Sequence, residues 1–363
     1  MSNLNKLWIR GFKSIQDQEL EFAPFNVFIG GNGAGKSNLI GVFNFLRRVV
    51  DQQLQNYTGE AGGANAILHF GRKKTENITI KIEFRSGSDA NIYQFTLLPT
   101  DEDRFVFGTE RPYYQATEQF DNPHLADSWS GHSEARITES KSRVAKYVHD
   151  HLESYRIYHF HDTSPSAPMK QTCDVADNRF LKSDAGNLAA FLYRLEKKQP
   201  DHFENIEDTI RQVAPFFHRF KLEPSLLNPD KIRLEWEEKG SDNYFGPAAL
   251  SDGTVRFICL STLLLQPDLP SLILIDEPEL GLHPAAIQVL AGLLKSAASR
   301  TQLIVATQSV TLINQLEPEH VWVVDRENGQ SVFRHLKSAD MTAWLEDYGL
   351  GELWEKNIFG GRP

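Results

Sequence analysis

Cysteine is scarce in this chain, positive charge is outnumbered, and no apolar run is both long and unbroken. The two cysteines among 363 residues, Cys173 and Cys259, show no metal-ligand spacing. A disulfide framework would need more of them in a much shorter chain, so the sequence reads as that of a reducing cytosol. Lys and Arg number 38 against 48 Asp and Glu, a net charge of −10, which excludes a surface that is basic all round and confines any nucleic-acid contact to one region. The most apolar stretch, 257 to 275, is interrupted by Gln266, Pro267, Asp268 and Pro270; it reads as a buried helix, a turn and a buried strand, and no membrane contact is expected. The opening M-S-N-L-N-K-L-W-I-R lacks an apolar signal core and a cleavage site, so a cytoplasmic protein is expected.

What is present is an ordinary globular composition, 40% hydrophobic and 24% charged, in a length that suits two domains or one large domain with an insertion. Residues 26 to 29 form an apolar run entering a glycine cluster. Leu39, Val42, Phe43, Leu46 and Val50 then recur at helical spacing, which predicts a strand, a loop and a helix. Ile78, Ile80, Ile82 and Phe84 alternate strictly and predict an antiparallel hairpin with 92 to 98. From 100 to 150 the sequence turns polar and loses its period. Leu188, Phe191, Leu192 and Leu195 share a helical face, and Pro200-Asp201-x-x-Glu204 reads as the start of a second helix with Phe203, Ile206, Ile210, Val213 and Phe217 along one stripe. From 230 an α/β pattern resumes, with strands at 232 to 236, 272 to 275, 303 to 306 and 321 to 324, and helices from about 254 and from 284. The expected division is a first lobe at 1–100, a loop-rich and helical insertion at 101–229, a second lobe at 230–340 and a tail at 341–363. That tail, with Trp344, Tyr348, Leu350 and Trp354, reads as a docking segment.

Gly30-Gly31-Asn32-Gly33-Ala34-Gly35-Lys36-Ser37 fits G-x-x-x-x-G-K-[ST] between a strand and a helix. The pattern lets backbone N–H groups and a helix N-terminus cradle phosphates, with Lys36 reaching the β- and γ-phosphates and Ser37 ligating Mg²⁺. Asn32, Gly33, Ala34, Gly35 and Asn38 complete the expected nucleotide contacts in this segment. Leu272-Ile273-Leu274-Ile275-Asp276-Glu277 is an apolar strand ending in two carboxylates, at the strand end where α/β sheets place ligands. Asp276 suits a water-mediated Mg²⁺ contact, and Glu277 would polarise the attacking water of a slow ATPase. A glycine-rich turn and an acid-tipped strand are the plainer readings of each motif alone; together they point to ATP and Mg²⁺.

Leu250-Ser251-Asp252-Gly253-Thr254, ahead of an apolar helix, is by itself an N-cap. The order is phosphate loop, long insertion, serine–glycine helix start, acidic strand, Pro278-Glu279-Leu280-Gly281-Leu282-His283-Pro284, then Thr307-Gln308-Ser309. It resembles the ABC-type ATPases of the SMC/RecF-like branch, with Walker A, signature, Walker B, D-loop and switch, and in particular the stand-alone bacterial ATPases related to the overcoming-lysogenization-defect proteins. The opening L-W-I-R-G-F-K-S-I, with Lys13 and Ser14, is similar to that branch and adds both residues to the expected nucleotide contacts. The resemblance implies an α/β P-loop NTPase fold: an ABC-type two-lobe ATPase head with an inserted helical subdomain. It also implies a homodimer joined head to head through ATP, in which Ser251 and the Gly253 backbone of one protomer cap the γ-phosphate held by Lys36 of the other. With 363 − 309 = 54 residues beyond the switch, it further implies a separately encoded effector, of which a Toprim-like nuclease is the expected type, in anti-phage defence or DNA maintenance. A RecF-type clamp on double-stranded DNA and a non-hydrolysing, ATP-locked scaffold are the alternatives.

Asp252 stands where many ABC ATPases have glycine, and Gln308 where many relatives have a histidine that contacts the γ-phosphate. Glutamine can hydrogen-bond but cannot become cationic, which favours slow hydrolysis at this catalytic position. None of Gln52, Gln53 and Gln55 is clearly placed as the family's Q-loop glutamine. His159-Phe160-His161-Asp162 reads either as a metal site or as a strand end facing the nucleotide lobe. Arg47, Arg48, Arg72, Lys73 and Lys74 make the first lobe locally basic, as a phosphate-backbone contact or as a solvated face.

Overall fold

The computed structural model describes residues 3–116, 122–345 and 347–362. Strand Phe25–Ile29 is buried at every position because both its faces are covered. It sits inside a six-stranded sheet ordered Gln330–His335, Val321–Glu327, Phe25–Ile29, Gln302–Thr307, Leu272–Asp276 and Arg156–Tyr158, parallel throughout except for the first pair. Alternate side chains feed two cores. Val27, Ile273, Ile275, Val305 and Val323 enter one, and Phe28, Leu274, Ile304, Trp322 and Val324 enter the other.

The second core lies under an antiparallel sheet ordered Ile15–Glu21, Asn3–Phe12, Ile78–Ser86, Asp89–Pro99, Phe105–Ala116 and His124–Leu125. The hairpin expected at 78 to 98 is its centre, with Ile78 opposite Leu97 and Ile82 opposite Tyr93. Helix Lys36–Val50 inserts its expected apolar stripe, Leu39, Val42, Phe43, Leu46 and Val50, into this core. The first core holds helices Asp252–Leu265 and Pro284–Ala298, and the helical pair Leu188–Lys198 and Pro200–Val213 packs onto the former.

Four expectations need correction. The stretch from 100 to 150 is not loop-rich: Phe105–Ala116 is a long strand of the antiparallel sheet, and Arg143–Ser154 is a helix. Its alternation is hidden by a bulge. Leu97 pairs with Phe107 and Thr96 with Thr109, so the register passes over Gly108 and the inward positions shift from Phe105 and Phe107 to Glu110 and Pro112. An acid and a proline at core positions read as solvent-facing. The strand expected at 232 to 236 divides into Lys231–Ile232, paired with Cys173–Asp174, and Trp236–Glu238, paired with Phe217–Phe220. Phe217, expected to close a helical stripe, therefore belongs to a strand. The tail is no free docking segment either, since Leu350 and Trp354 are buried and the Trp354 indole N–H donates to Gly361 O at 2.7 Å; Trp344 and Tyr348 remain exposed.

The buried Glu110 carboxylate accepts from Tyr93 Oη at 2.8 Å and from the N–H groups of Arg136 at 2.9 Å and Ile137 at 3.0 Å, and bonds His132 Nε2 at 2.7 Å. It folds the irregular 132–137 segment onto the strand. Glu110→Ala strands these donors away from water, so it is expected to cost about 3 kcal/mol of stability, read from the urea midpoint. A variant as stable as the parent would show that the network is dispensable.

Candidate nucleotide site

The glycine loop follows strand Phe25–Ile29 and ends in helix Lys36–Val50. Gly33 and Gly35 have φ of +78° and +124°, and a side chain at Gly35 would collide with Ser331 Oγ. The helix starts with no side-chain cap and no acid in its first turn, which leaves its terminal N–H groups for an anion. Asn32, Lys36, Ser37, Asn38, Glu277 and Gln308, with the loop glycines, enclose a cavity of about 170 Å³. The Lys36 ammonium donates to Gly30 O at 2.5 Å and Gly31 O at 3.2 Å, which leaves one of its three N–H bonds. Burial lowers its pKa, opposed by Glu277, Asp276 and Glu279.

Asp276 ends its strand beside Ala306. Burial, and then the neighbouring Glu277, hold its carboxyl above the usual carboxylate range, with His161, His159 and Lys36 opposing. Glu277 adopts φ +43°, a left-handed conformation that costs a non-glycine residue about 1–3 kcal/mol. Its N–H donates to Ala306 O at 2.8 Å, and its Oε1 accepts from Gln308 Nε2 at 2.8 Å. The same Gln308 nitrogen donates to Asn32 Oδ1 at 2.9 Å, so one amide bridges the phosphate loop and the acidic strand.

The other expected residues divide into supports and outliers. Ser14 Oγ accepts from Asn38 Nδ2 at 2.6 Å and bonds Ser331 Oγ at 2.7 Å, while Ser331 Oγ donates to Ala34 O at 2.5 Å; these contacts buttress the loop from behind. Lys13, at φ +46°, donates its backbone N–H to Ile67 O at 2.7 Å, and its side chain does not line the cavity. Ser251 is the N-cap of helix Asp252–Leu265, accepting from Thr254 N at 3.1 Å. Gly253 is required where that helix crosses the Gly281 carbonyl, which any Cβ would strike. Neither Ser251 nor Gly253 lines the phosphate-loop cavity of its own chain. Asp252 is paired with Lys170 Nζ at 3.0 Å, a bond that pulls its carboxyl below the usual range. The H-F-H-D run follows the end of strand Arg156–Tyr158, and His161 Nε2 bonds Asp276 O at 2.9 Å. Among the described residues, the ligand-like cluster that does converge is His149, Asp150 and Glu153, on another helix. Gln52 and Gln55 are engaged with carbonyls of 105–135 and Gln53 with Arg48, and none of the three lines the phosphate-loop cavity.

Two residues escaped sequence reasoning. Glu279, half-buried, accepts from Thr307 Oγ1 at 2.5 Å and Gln308 N at 3.2 Å and thereby ties the switch to the acidic strand; its Oε2 has no partner among the described residues. Burial holds its carboxyl above the usual range, with the Thr307 hydrogen bond opposing. The D-E-P-E spacing carried that signal. Arg256 donates to Phe160 O at 2.8 Å, His161 O at 3.1 Å and Leu280 O, and no local pattern marks it. The Ser37 hydroxyl and the Asp276 carboxylate are the oxygen donors a hard cation takes, and three carboxylates surround the single Lys36 ammonium; both facts fit Mg²⁺.

A family model described as AAA domain, putative AbiEii toxin, Type IV TA system, matches residues 25–314. The DNA replication and repair protein RecF of Renibacterium salmoninarum is 25% identical over 222 residues, 54% of this chain and 53% of that protein, so the chain spans about half the length of this curated relative. Among solved structures, an SMC head bound to the C-terminal winged-helix domain of ScpA is similar at TM-score 0.62 and 17% identity, covering 93% of this chain and 99% of that one. The SMC head with an extended coiled coil bound to the C-terminal domain of ScpA, from Pyrococcus furiosus, is similar at TM-score 0.58 and 16% identity, covering 96% and 99%. These likenesses bear out the expected α/β P-loop NTPase fold with an ABC-type head. No helix among the described residues is long and apolar enough to cross a membrane.

Because burial raises the folded-state pKa of Glu279, its contribution to stability is intact below the ordinary glutamate range and is lost as pH rises through the raised value. Glu279→Gln keeps a carbonyl acceptor for Thr307 and Gln308. It is expected to raise Tm by a few degrees at about pH 8 and by nothing near pH ~4, as read by thermal melts. An equal difference at both pH values would contradict this.

Proposed function

We propose that this chain, which belongs to the family described as AAA domain, putative AbiEii toxin, Type IV TA system, is a slow, Mg²⁺-dependent ATPase. In this reading it works as an ATP-joined homodimer controlling a separately encoded effector. The observation that carries the reading is the Gln308 amide, which joins Asn32 of the phosphate loop to Glu277 of the acidic strand. The loop amides and Lys36 would hold the phosphates, and Ser37 and Asp276 would hold Mg²⁺, which would neutralise charge on the phosphoryl group. Glu277, turned toward the loop by its left-handed backbone and by Gln308, orients the attacking water and takes its proton. Gln308 positions without accepting a proton, which is why the turnover is slow.

Ser251 and Gly253 lie outside their own chain's phosphate cavity, which supports their use across a head-to-head dimer, where the helix N-terminus would meet the γ-phosphate of the other protomer. Lys170 holds Asp252 in an ion pair and so lessens its repulsion of phosphate there. The family's description names a toxin–antitoxin system, a two-component arrangement, which supports a role beside a separately encoded protein, in anti-phage defence or DNA maintenance. A Toprim-like nuclease as that partner rests on the motif order alone. The likeness to RecF favours a second reading, a clamp that binds double-stranded DNA.

Steady-state phosphate release separates the two readings. Turnover that rises with double-stranded DNA supports the clamp, and turnover indifferent to DNA until a partner is added supports the gated switch. Lys36→Ala is expected to abolish ATP binding by calorimetry. Glu277→Gln is expected to lower kcat by about 10²-fold or more while retaining an ATP-bound dimer on gel filtration; an unchanged rate would remove Glu277 from the reaction.

A further inference from the structure

Behind the metal edge of the phosphate loop lies a second, larger cavity of about 680 Å³, within the range of roughly 300–1,000 Å³ that small-ligand sites occupy. Its inner wall includes Ser37 and Asp276, and its outer wall carries Arg47, Arg48, Arg156 and Lys182, of which Arg48 is paired with Glu60 and Lys182 with Asp177 at the rim, a partner that a phosphate would displace. Arg47 and Arg156 converge on one acceptor, the Tyr155 carbonyl, at 3.2 and 3.1 Å. Arg156 also donates to Glu153 O, and the carboxylate beside Arg47, Asp51, is 3.6 Å away. Burial and then the charge of Arg47 lower the pKa of Arg156, with Tyr158, Glu153 and Asp51 opposing. Two guanidiniums held together on a neutral oxygen, each with N–H donors to spare, form a fork suited to phosphate oxygens. Phe180 lies at the same cavity. Its ring is 55% exposed, and the Arg156 guanidinium stands 5.5 Å from its centroid, which gives a flat apolar platform beside the cations.

We infer that this cavity is a second nucleotide site, in which a base stacks on Phe180 and a phosphate is held by Arg47, Arg156 and Lys182. The same chemistry is offered by a free mononucleotide and by the phosphorylated end of a single strand. Through Ser37 and Asp276 the ligand shares a wall with the phosphate loop, so its presence is felt where the γ-phosphate end of ATP would lie. The inference does not require the phosphate loop to work as proposed above.

The test is calorimetric titration of the full chain, saturated with Mg²⁺ and ATPγS, with AMP and with a 5′-phosphorylated thymidine trinucleotide. One further equivalent of probe is expected, weakened about tenfold by Phe180→Ala, by Lys182→Glu and by Arg156→Gln, with the affinity for ATPγS unchanged. Binding of AMP assigns the site to a free nucleotide, and binding of the trinucleotide alone assigns it to a strand end. Phe180 and Lys182 are exposed, so the test stands even if Arg156→Gln does not fold. Absence of a further equivalent with both probes, or binding indifferent to all three substitutions, would overturn the inference. Loss of ATPγS binding with retained probe binding would instead fell the ATPase reading alone.

Discussion

The arrangement around the phosphate loop depends on a buried guanidinium that no carboxylate neutralises directly. Arg256, on the helix that Ser251 caps, spends its donors on the carbonyls of Phe160, His161 and Leu280. Those carbonyls lie on the strand end beside Asp276 and on the turn after the acidic strand. Carbonyl dipoles solvate the cation, and in return three segments from distant parts of the chain are fixed as one block. Burial lowers the pKa of Arg256, with Asp252 as the main opposing charge, and Asp252 is itself held by Lys170. The helix start, the strand end and the turn therefore cannot shift independently without leaving a charge uncompensated.

Charge governs the other side of the site as well. Asp276, Glu277 and Glu279 lie at and just beyond the end of one strand, around one ammonium that is already engaged with loop carbonyls. The protein tolerates this crowding by assigning each carboxyl a different environment. Glu279 is held against Thr307 and Gln308, Glu277 is tethered by the Gln308 amide, and Asp276 is left at the carboxyl end of its strand next to His161. Repulsion among like charges becomes a standing demand for a cation at that strand end.

The sequence made the local parts of this plan legible. The phosphate loop, the acidic strand and the helix starts are contiguous motifs, and the apolar runs at 272 to 275 and 303 to 306 announce strands covered on both faces. What local pattern could not show were features set by partners far away in the chain. Strand Phe105–Ala116 was hidden because the bulge at Gly108 reverses its alternation and places Glu110 inside, where Tyr93 and His132 satisfy it. Arg256 is unremarkable in sequence because its acceptors at 160 and 161 lie some ninety-five positions upstream. The tail reads as a docking segment because Trp354 finds its hydrogen-bond acceptor only when the chain folds back at Gly361.

The parallel sheet is a single leaf shared by two cores, with Ile273 and Ile275 committed to one side and Leu272 and Leu274 to the other. Slipping any strand by one residue would exchange every side chain between the two cores, which closes off sliding as a mode of motion. Any movement that links nucleotide to a partner must then be carried by tilting of whole layers about the leaf, with the strands keeping register. Lys36 and Asp276, anchored at the same end of that leaf, would stay at a fixed spacing while the surfaces on either side change their angle.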